Sequence, residues 1–175
     1  ACSQSIWMKI RVGLLRIVDG YVVGSPYWLR RIEGTEIGAL TLSEGAINDV
    51  GSHVSAQHLC IWREGERWFA QGLGSSNGTV LVSGVDHQQV VVELPEDERT
   101  EESESKPVEI HPGDELYLAD DTVFAVIEGW MGCRGLVAGD SFVFAWCRKQ
   151  DLSSRFNAGL MLAKHFLISK MLRNK

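Results

Sequence analysis

Short runs of apolar and β-branched residues, separated by turn residues, fill the chain from Lys9 to Glu128. Alternation with a period of two over such short runs predicts β-strands rather than helices. Asp19-Gly20 is typical of a tight turn, and Glu64-Gly65-Glu66 is predicted to close a hairpin. Strands this short and this closely spaced indicate an antiparallel sandwich or barrel rather than βαβ units. The predicted strands cover residues 9–18, 27–32, 36–42, 59–62, 67–71, 79–82, 88–94, 115–118 and 123–128.

An acidic segment interrupts this pattern between Pro95 and Pro107. It has no apolar residue between the two prolines, and its acidic residues are Glu96, Asp97, Glu98, Glu101, Glu102 and Glu104. Such a composition buries too little surface to offset the entropy that is lost on ordering. We therefore expect a mobile, solvated acidic loop over 95–107, inserted between two late strands. A second interpretation places a phosphate on Thr100, Ser103 or Ser105 and folds it back onto loops of the same domain.

The pattern changes again after residue 129. Residues 142–146 predict one more strand, and the polar residues of 151–154 can cap a helix over 154–172. This helix repeats apolar residues at helical spacing, at Phe156, Leu160, Ala163, Leu167 and Met171. The chain thus divides into a β-domain over 6–129 and a C-terminal extension over 130–175. We expect the helix to pack on the domain or to join it to another one, and a partner-binding or membrane-surface helix is the alternative.

Composition argues against several partners. The formal net charge is −6, and an acidic balance disfavours nucleic acid because phosphate backbones bind basic patches. No apolar stretch is long enough to span a bilayer, so no membrane partner is expected. The chain begins without Met or a signal sequence, as expected of a fragment or a processed protein. We expect reduced thiols and a cytoplasmic location, with a Cys133–Cys147 disulfide as the alternative, because no metal-binding spacing links Cys2, Cys60, Cys133 and Cys147.

The sequence lacks the usual catalytic motifs. It contains neither a Gly-x-Ser-x-Gly elbow nor a Gly-x-x-x-x-Gly-Lys-Ser/Thr loop. Its five histidines show no metal-ligand spacing. We therefore predict a chain that is not an enzyme and needs no cofactor or metal. An enzyme whose catalytic part lies in other sequence is the least favoured alternative.

Two hydroxyl-bearing loops are the candidate functional feature. Ser55-Ala56-Gln57-His58 precedes one strand, and Gly74-Ser75-Ser76-Asn77-Gly78-Thr79 precedes another. Asn77-Gly78 is a strong turn signal because both residue types tolerate positive φ. If the two loops lie at the same end of a sheet, their hydroxyl and amide groups form a pocket that donates hydrogen bonds to an anion.

These stretches resemble the forkhead-associated (FHA) domain, a phosphothreonine-binding module. The resemblance extends over about residues 9–128 and includes Ile37-Gly38-Ala39, Asn48-Asp49-Val50, Val54-Ser55-Ala56-Gln57-His58, Gly74-Ser75-Ser76-Asn77-Gly78-Thr79 and Ile110-His111-Pro112-Gly113-Asp114. It implies an antiparallel β-sandwich that serves as a recognition module in signalling. A C-terminal strand and an α-helix follow this sandwich in our prediction.

The resemblance also implies roles for individual residues. Ser55 donates its hydroxyl to the phosphate, Ser76 lies near the phosphate and the threonine methyl, and Asn77 bonds the peptide backbone. Structural support of the loops is assigned to Gly38, His58, Gly74, Gly78 and Thr79. Ala56 offers a backbone N–H in place of a frequent second basic side chain.

Two departures from the family pattern, at Ala39 and Ala56, limit this reading. Ala39 stands where the family usually carries an arginine that grips the phosphate. Arg30, Arg31 and Arg63 are candidates to compensate for it by sequence proximity. The partner is therefore expected to be a phosphothreonine-containing protein or peptide that binds weakly. The alternative is a phosphate-independent scaffold or assembly domain that keeps the FHA fold, and the sequence leaves the oligomeric state open.

Overall fold

The structure is a computed structural model, and it describes residues 9–100, 103 and 105–131. This part of the chain consists of ten β-strands and a single-turn 3-10 helix at Glu96–Glu98. The strands are β1 (Lys9–Val18), β2 (Tyr21–Trp28), β3 (Thr35–Ile37), β4 (Leu59–Glu64), β5 (Arg67–Gly72), β6 (Thr79–Val82), β7 (Gln89–Glu93), β8 (Val108–Ile110), β9 (Glu115–Leu118) and β10 (Thr122–Met131).

The strands form two sheets. The larger sheet has the order β2-β1-β10-β9-β6-β7, and the smaller sheet has the order β3-β4-β5-β8. Every pairing between these strands is antiparallel, so the predicted antiparallel all-β architecture is confirmed. The predicted strand at 142–146 and the predicted helix at 154–172 lie outside the described residues. No helix among the described residues is long and apolar enough to cross a membrane.

The main core lies between the two sheets. Leu14 of β1 pairs with Val126 of β10, and both side chains point into this core together with Phe124. From the smaller sheet come Ile37, Leu59 and other apolar residues. Alternate residues of a strand face opposite sides, so the same strands also carry a second set of side chains on the outer side of the larger sheet.

That second set is also apolar. It comprises Leu15, Ile17, Val82, Tyr117, Val123, Ala125 and Ile127, and we call it the outer face. The Trp28 indole lies at one end of the outer face, over Gly13 and Gly129. A Cβ on Gly13 would lie 2.8 Å from the indole, and a Cβ on Gly129 would collide with it. Glycine at these two positions therefore makes room for Trp28.

Two strand predictions are far from the observed bounds and one strand was missed, while the predictions for β4, β5, β7 and β10 differ by one to three residues at an end. The second strand is Tyr21–Trp28, not 27–32, because Asp19 and Gly20 both have positive φ and return the chain at once, pairing Val18 with Tyr21. The third is Thr35–Ile37 rather than 36–42. The three-residue β8 was not predicted at all, and it is a strand because it pairs with Trp68–Ala70 of β5.

Only Cys60 of the four cysteines lies within the described residues. Its thiol is free, and burial raises its pKa above the ordinary value. The predicted reduced state of Cys2, Cys133 and Cys147 concerns residues outside the described part of the chain.

Candidate functional site

The two hydroxyl-bearing loops converge at one rim of the sandwich. The backbone N–H of Ser76 donates to Ser55 Oγ over 2.9 Å. The side-chain amide of Asn77 donates to the backbone oxygen of His53 over 2.7 Å. Ser55 precedes Ser76 by 21 residues and Asn77 by 22 residues in sequence, yet the two loops are neighbours in space.

The His58 ring forms hydrogen bonds to both loops. It is fully buried, and its Nδ1 accepts from the backbone N–H of Ser55 over 3.1 Å. Its Nε2 lies 3.0 Å from both the Gly78 oxygen and Thr79 Oγ1. A carbonyl oxygen can only accept, so Nε2 carries the proton and the ring is neutral. Desolvation by burial lowers the pKa of His58, which is the direction that favours this neutral form.

Residues 38–40 form the third wall of the site. The N–H of Ala39 donates to the Ser55 oxygen over 2.9 Å, and the N–H of Leu40 donates to the Ala56 oxygen over 3.1 Å. A Cβ on Gly38 would overlap the backbone of Ala56. These contacts take the chain out of the smaller sheet after Ile37, which is why the strand predicted over 36–42 ends early.

A groove of about 430 Å³ opens between these walls. It is lined by Leu40, Leu42, Ser43, Ser55, Ala56, Gln57, Leu73, Gly74 and Ser76, none of which carries a charge. Leu42 is 96% and Leu40 is 73% exposed, so the rim presents apolar side chains to solvent. Ala39 and Asn77 border the groove without lining it.

The arginines considered for the missing charge are held elsewhere or do not line the groove. Arg31 Nη1 lies 2.8 Å from Glu44 Oε2, and Arg63 Nη2 lies 2.6 Å from Glu66 Oε1. Arg30 is exposed and is not among the lining residues. The structure thus brings together the predicted hydroxyl and amide groups but adds no cation to the groove wall.

Sequence reasoning missed a buried carboxylate behind the second loop. Glu93, at the end of β7, is 6% exposed. It accepts hydrogen bonds from the N–H of Gly74 (2.8 Å), the N–H of Ser75 (2.9 Å) and the hydroxyl of Ser75 (2.5 Å). The available signal was a single Glu directly after Val90-Val91-Val92. The sequence does not show which groups donate hydrogen bonds to it.

Arg99 completes this arrangement from the acidic segment. Its Nη2 lies 3.6 Å from Glu93 Oε2 and donates to the Ser75 oxygen, while its Nε donates to the Leu94 oxygen over 2.8 Å. We call the Glu93–Arg99 pair and its bonds to residues 74–75 the loop anchor. The anchor holds the backbone that precedes Ser76 in place.

The acidic segment packs on the domain more than its composition predicts. The N–H of Glu96 donates to the Ser76 oxygen over 2.9 Å. Ser105 Oγ accepts from the N–H of Gly72 over 3.0 Å and donates to the Val92 oxygen over 3.2 Å. The side chains of Glu96, Asp97 and Glu98 are exposed, as expected of a solvated loop. Backbone groups, Ser105 and Arg99 add contacts to the domain that hydrophobicity does not reveal.

A cluster of His53, Asp120 and Asp121 is the arrangement among the described residues that could hold a metal ion, with one ligand atom from each within 4.8 Å of the others. Its groups already bond one another. His53 Nδ1 lies 2.5 Å from Asp120 Oδ1, and Asp121 accepts from the N–H of His53 and the hydroxyl of Thr122. The bond to Asp120 raises the pKa of His53.

Comparisons with known proteins found similarity to solved structures and to one family model. No curated protein sequence matches the chain. Among solved structures, the chain is similar to Mycobacterium tuberculosis EmbR in complex with a low-affinity phosphopeptide, with 23% identity and a TM-score of 0.46, over 67% of this chain and 24% of that one. It is similar to the FHA domain of an Arabidopsis thaliana hypothetical protein, with 22% identity and a TM-score of 0.47, over 79% of this chain and 99% of that one.

A third similar structure is the FHA domain of the CT664 protein from Chlamydia trachomatis, with 15% identity and a TM-score of 0.46, over 67% of this chain and 96% of that one. The chain thus spans about a quarter of the length of EmbR but nearly all of the other two. The sequence itself matches the family model described as the FHA domain over residues 35–119. Residues 35–119 of this chain therefore match the FHA domain family.

Proposed function

We propose that this domain recognises a phosphothreonine-containing segment of a partner protein in the groove beside Ser55 and Ser76. The observation that carries the proposal is the 2.9 Å bond from the Ser76 N–H to Ser55 Oγ, which fixes the Ser55 hydroxyl beside Ser76 where both residues line the groove. The match of residues 35–119 to the FHA domain model supports this choice.

The hydrogen bonds suggest a division of roles in this proposal. Because Ser55 Oγ accepts from Ser76, its own proton is available for a phosphate oxygen. The Ser76 side chain is exposed at the groove and supplies a second hydroxyl. The amide nitrogen of Asn77 is committed to His53, so its oxygen is the group left to accept from a peptide N–H. Ala39 and Ala56 contribute backbone rather than charge.

The uncharged groove makes weak binding the expected outcome. A hydrogen bond to a charged group is worth about 1.5–3 kcal/mol, so its loss weakens binding roughly ten- to a hundredfold. The acidic turn Glu96–Glu98 is bonded to Ser76 through its backbone, and its carboxylates add negative potential near a dianionic ligand. We accordingly propose a weak, non-catalytic module that acts in cytoplasmic signalling.

One observation favours a second function, phosphate-independent scaffolding. The groove has no charged lining and is rimmed by Leu40, Leu42 and Leu73. Such a surface suits an apolar segment of a partner as well as it suits a phosphate. In this case the fold serves assembly, and phosphorylation of the partner has no effect on affinity.

A peptide titration separates these two functions. A phosphothreonine peptide library and its unphosphorylated twin are titrated against the full chain and against the Ala39→Arg and Ala39→Gln variants. We expect a small preference of the wild type for phosphate, a preference at least tenfold larger in Ala39→Arg, and no gain in Ala39→Gln, which has a long neutral side chain. No preference in either the wild type or Ala39→Arg would exclude phosphate recognition at this groove.

The neighbouring serines of the loop provide a matched pair of variants. Ser76→Ala is expected to weaken phosphopeptide binding at least several-fold and to leave thermal stability unchanged, because the Ser76 hydroxyl is exposed. Ser75→Ala removes a buried hydroxyl that bonds Glu93, and it is expected to lower stability. Equal binding by wild type and Ser76→Ala would contradict the assigned role of Ser76.

A further inference from the structure

The acidic turn, Glu96–Glu98, is fixed to the loop that carries Ser76. The N–H of Glu96 donates to the Ser76 oxygen over 2.9 Å. Pro95, which precedes the turn, lies so close to Gly78 that a Cβ on this glycine would be 2.8 Å from the Pro95 nitrogen. The turn therefore has a set position beside the groove, because its backbone is bonded to and packed on the loop that lines it.

Two carboxylates of this turn carry charge that the domain does not neutralise. The side chains of Glu96 and Asp97 are exposed, and neither forms a hydrogen bond or an ion pair with another residue that the structure describes. Arg99, which follows the turn, is paired with the buried carboxylate of the loop anchor. Arg31 is paired with Glu44. Neither arginine is paired with Glu96 or Asp97.

A phosphothreonine in the groove therefore meets negative charge without a cation from the groove wall. The lining residues are uncharged, and Ala39 borders the groove without a charge. Hydrogen-bonded backbones place their Cα atoms about 5–6 Å apart, which is less than the screening length of about 8 Å at physiological ionic strength. The acidic turn thus acts on a ligand beside Ser76, and it favours one that brings positive charge.

We infer that the partner segment supplies the missing cation, as a basic side chain beside its phosphothreonine that the carboxylates of Glu96 and Asp97 hold. This inference rests on the proposed function and names the class of segment that the groove takes. A basic side chain in this place offsets the negative charge of the phosphate and of the turn at once. Arginine suits the place better than lysine, because its planar guanidinium has five donors and can bond a phosphate oxygen and a carboxylate together.

The exposure of these carboxylates sets the size of the effect. A solvent-exposed ion pair changes affinity by up to about fivefold, and the turn offers two such carboxylates. We therefore expect a basic residue in the partner segment to strengthen binding about three- to tenfold. Salt reduces this gain, because the screening length falls to about 3 Å at about 1 M.

Fluorescence anisotropy of the full chain with labelled peptides tests the inference. The peptides carry one phosphothreonine in an alanine background, and each neighbouring position on either side is replaced in turn by arginine or by glutamate. We expect arginine to strengthen binding about three- to tenfold at one or more positions, and glutamate to weaken binding there. The difference is expected to disappear at about 1 M salt. Unphosphorylated twins of all peptides are measured in parallel.

Two double variants separate the acidic turn from the overall negative charge of the chain. Glu96→Gln combined with Asp97→Asn is expected to reduce the preference for arginine to less than about twofold. Glu64→Gln combined with Glu66→Gln removes the same charge from exposed positions at the far end of β4, about 17 Å along the strand from the site. This control is expected to leave the preference unchanged.

The outcomes distinguish this inference from the proposed function. Arginine-bearing peptides that bind the wild type and the turn variant equally, a shared lack of binding included, would overturn the inference. A preference for phosphate that persists in that case leaves the proposed function intact. An arginine preference that is lost in the turn variant but is the same with and without phosphate would support the role of the acidic turn and refute phosphothreonine recognition.

Discussion

The loop anchor gives the most demanding prediction of this structure. Glu93 is buried at the end of β7, and its carboxylate accepts three hydrogen bonds from Gly74 and Ser75. Arg99 lies 3.6 Å away and is itself only partly exposed. Glu93→Ala removes the acceptor from all three donors at once and leaves the Arg99 charge without its partner.

The size of the effect follows from these contacts. A hydrogen bond to a charged group contributes about 1.5–3 kcal/mol, but the three bonds share one carboxylate and do not add. Removing one partner of a buried ion pair typically costs about 3–5 kcal/mol. We therefore expect Glu93→Ala to lower the free energy of unfolding by about 3–5 kcal/mol, a large share of the roughly 5–15 kcal/mol of a typical domain.

Urea unfolding of the full chain, followed by tryptophan fluorescence, measures this loss. Glu93→Gln keeps the shape and one carbonyl oxygen, so we expect about half of the loss seen with alanine. Glu109→Ala is the matched control, because Glu109 pairs with Arg67 at the surface, where ion pairs contribute little. A loss below about 1 kcal/mol for Glu93→Ala would show that the loop is not held by this carboxylate.

Two further predictions concern the same rim. Burial lowers the pKa of His58, so at mildly acidic pH the unfolded chain binds a proton at this residue and the folded chain does not. The stability that neutral His58 contributes is therefore present in full above about pH 6.5 and falls as the pH drops toward the folded-state pKa. His58→Gln is expected to flatten this slope, which urea midpoints between about pH 7.5 and 5.5 measure. Gly78 has a φ of 72°, and a Cβ there would lie 2.7 Å from the backbone oxygen of Glu93, so Gly78→Ala is expected to cost about 1–3 kcal/mol in the same assay. Gly65 also has a positive φ, but the space around it is open. A smaller loss for Gly78→Ala than for Gly65→Ala would contradict the packing argument.

Local signals were sufficient for the strands whose ends are set by turns. Asp19-Gly20 and Gly65 mark tight turns between neighbouring strands. The strands β1, β6 and β9 were predicted with their observed bounds. Such strands are predictable from the local sequence, because alternation and turn chemistry act over a few residues.

Elements that depend on distant partners were not predictable in this way. The three residues of β8 are a strand because Trp68–Ala70 lies beside them. The third predicted strand ends at Ile37 because Ala39 and Leu40 bond Ser55 and Ala56 instead of a neighbouring strand. Sequence spacing does not contain these long-range contacts, so propensity overextends one element and overlooks the other.

The same distinction applies to the site. The two loops were predictable because a turn signal and clustered hydroxyls are local features. The loop anchor was not, since Glu93 and Arg99 come from a strand end and from a segment whose composition indicates solvation. A carboxylate that accepts backbone N–H groups leaves no periodic pattern in the sequence.

The structure changes what the Gly74–Thr79 motif can be taken to mean. The Ser75 hydroxyl bonds Glu93, and Thr79 lies against the His58 ring. Gly78 has a positive φ, and a Cβ there would lie too close to the neighbouring backbone. These positions are explained by the fold and would be needed in a domain that never meets phosphate. The Ser76 hydroxyl is exposed at the groove, with no hydrogen bond to another described side chain. The fold does not account for this hydroxyl, so Ser76 is a position of the motif that supports the proposed ligand role.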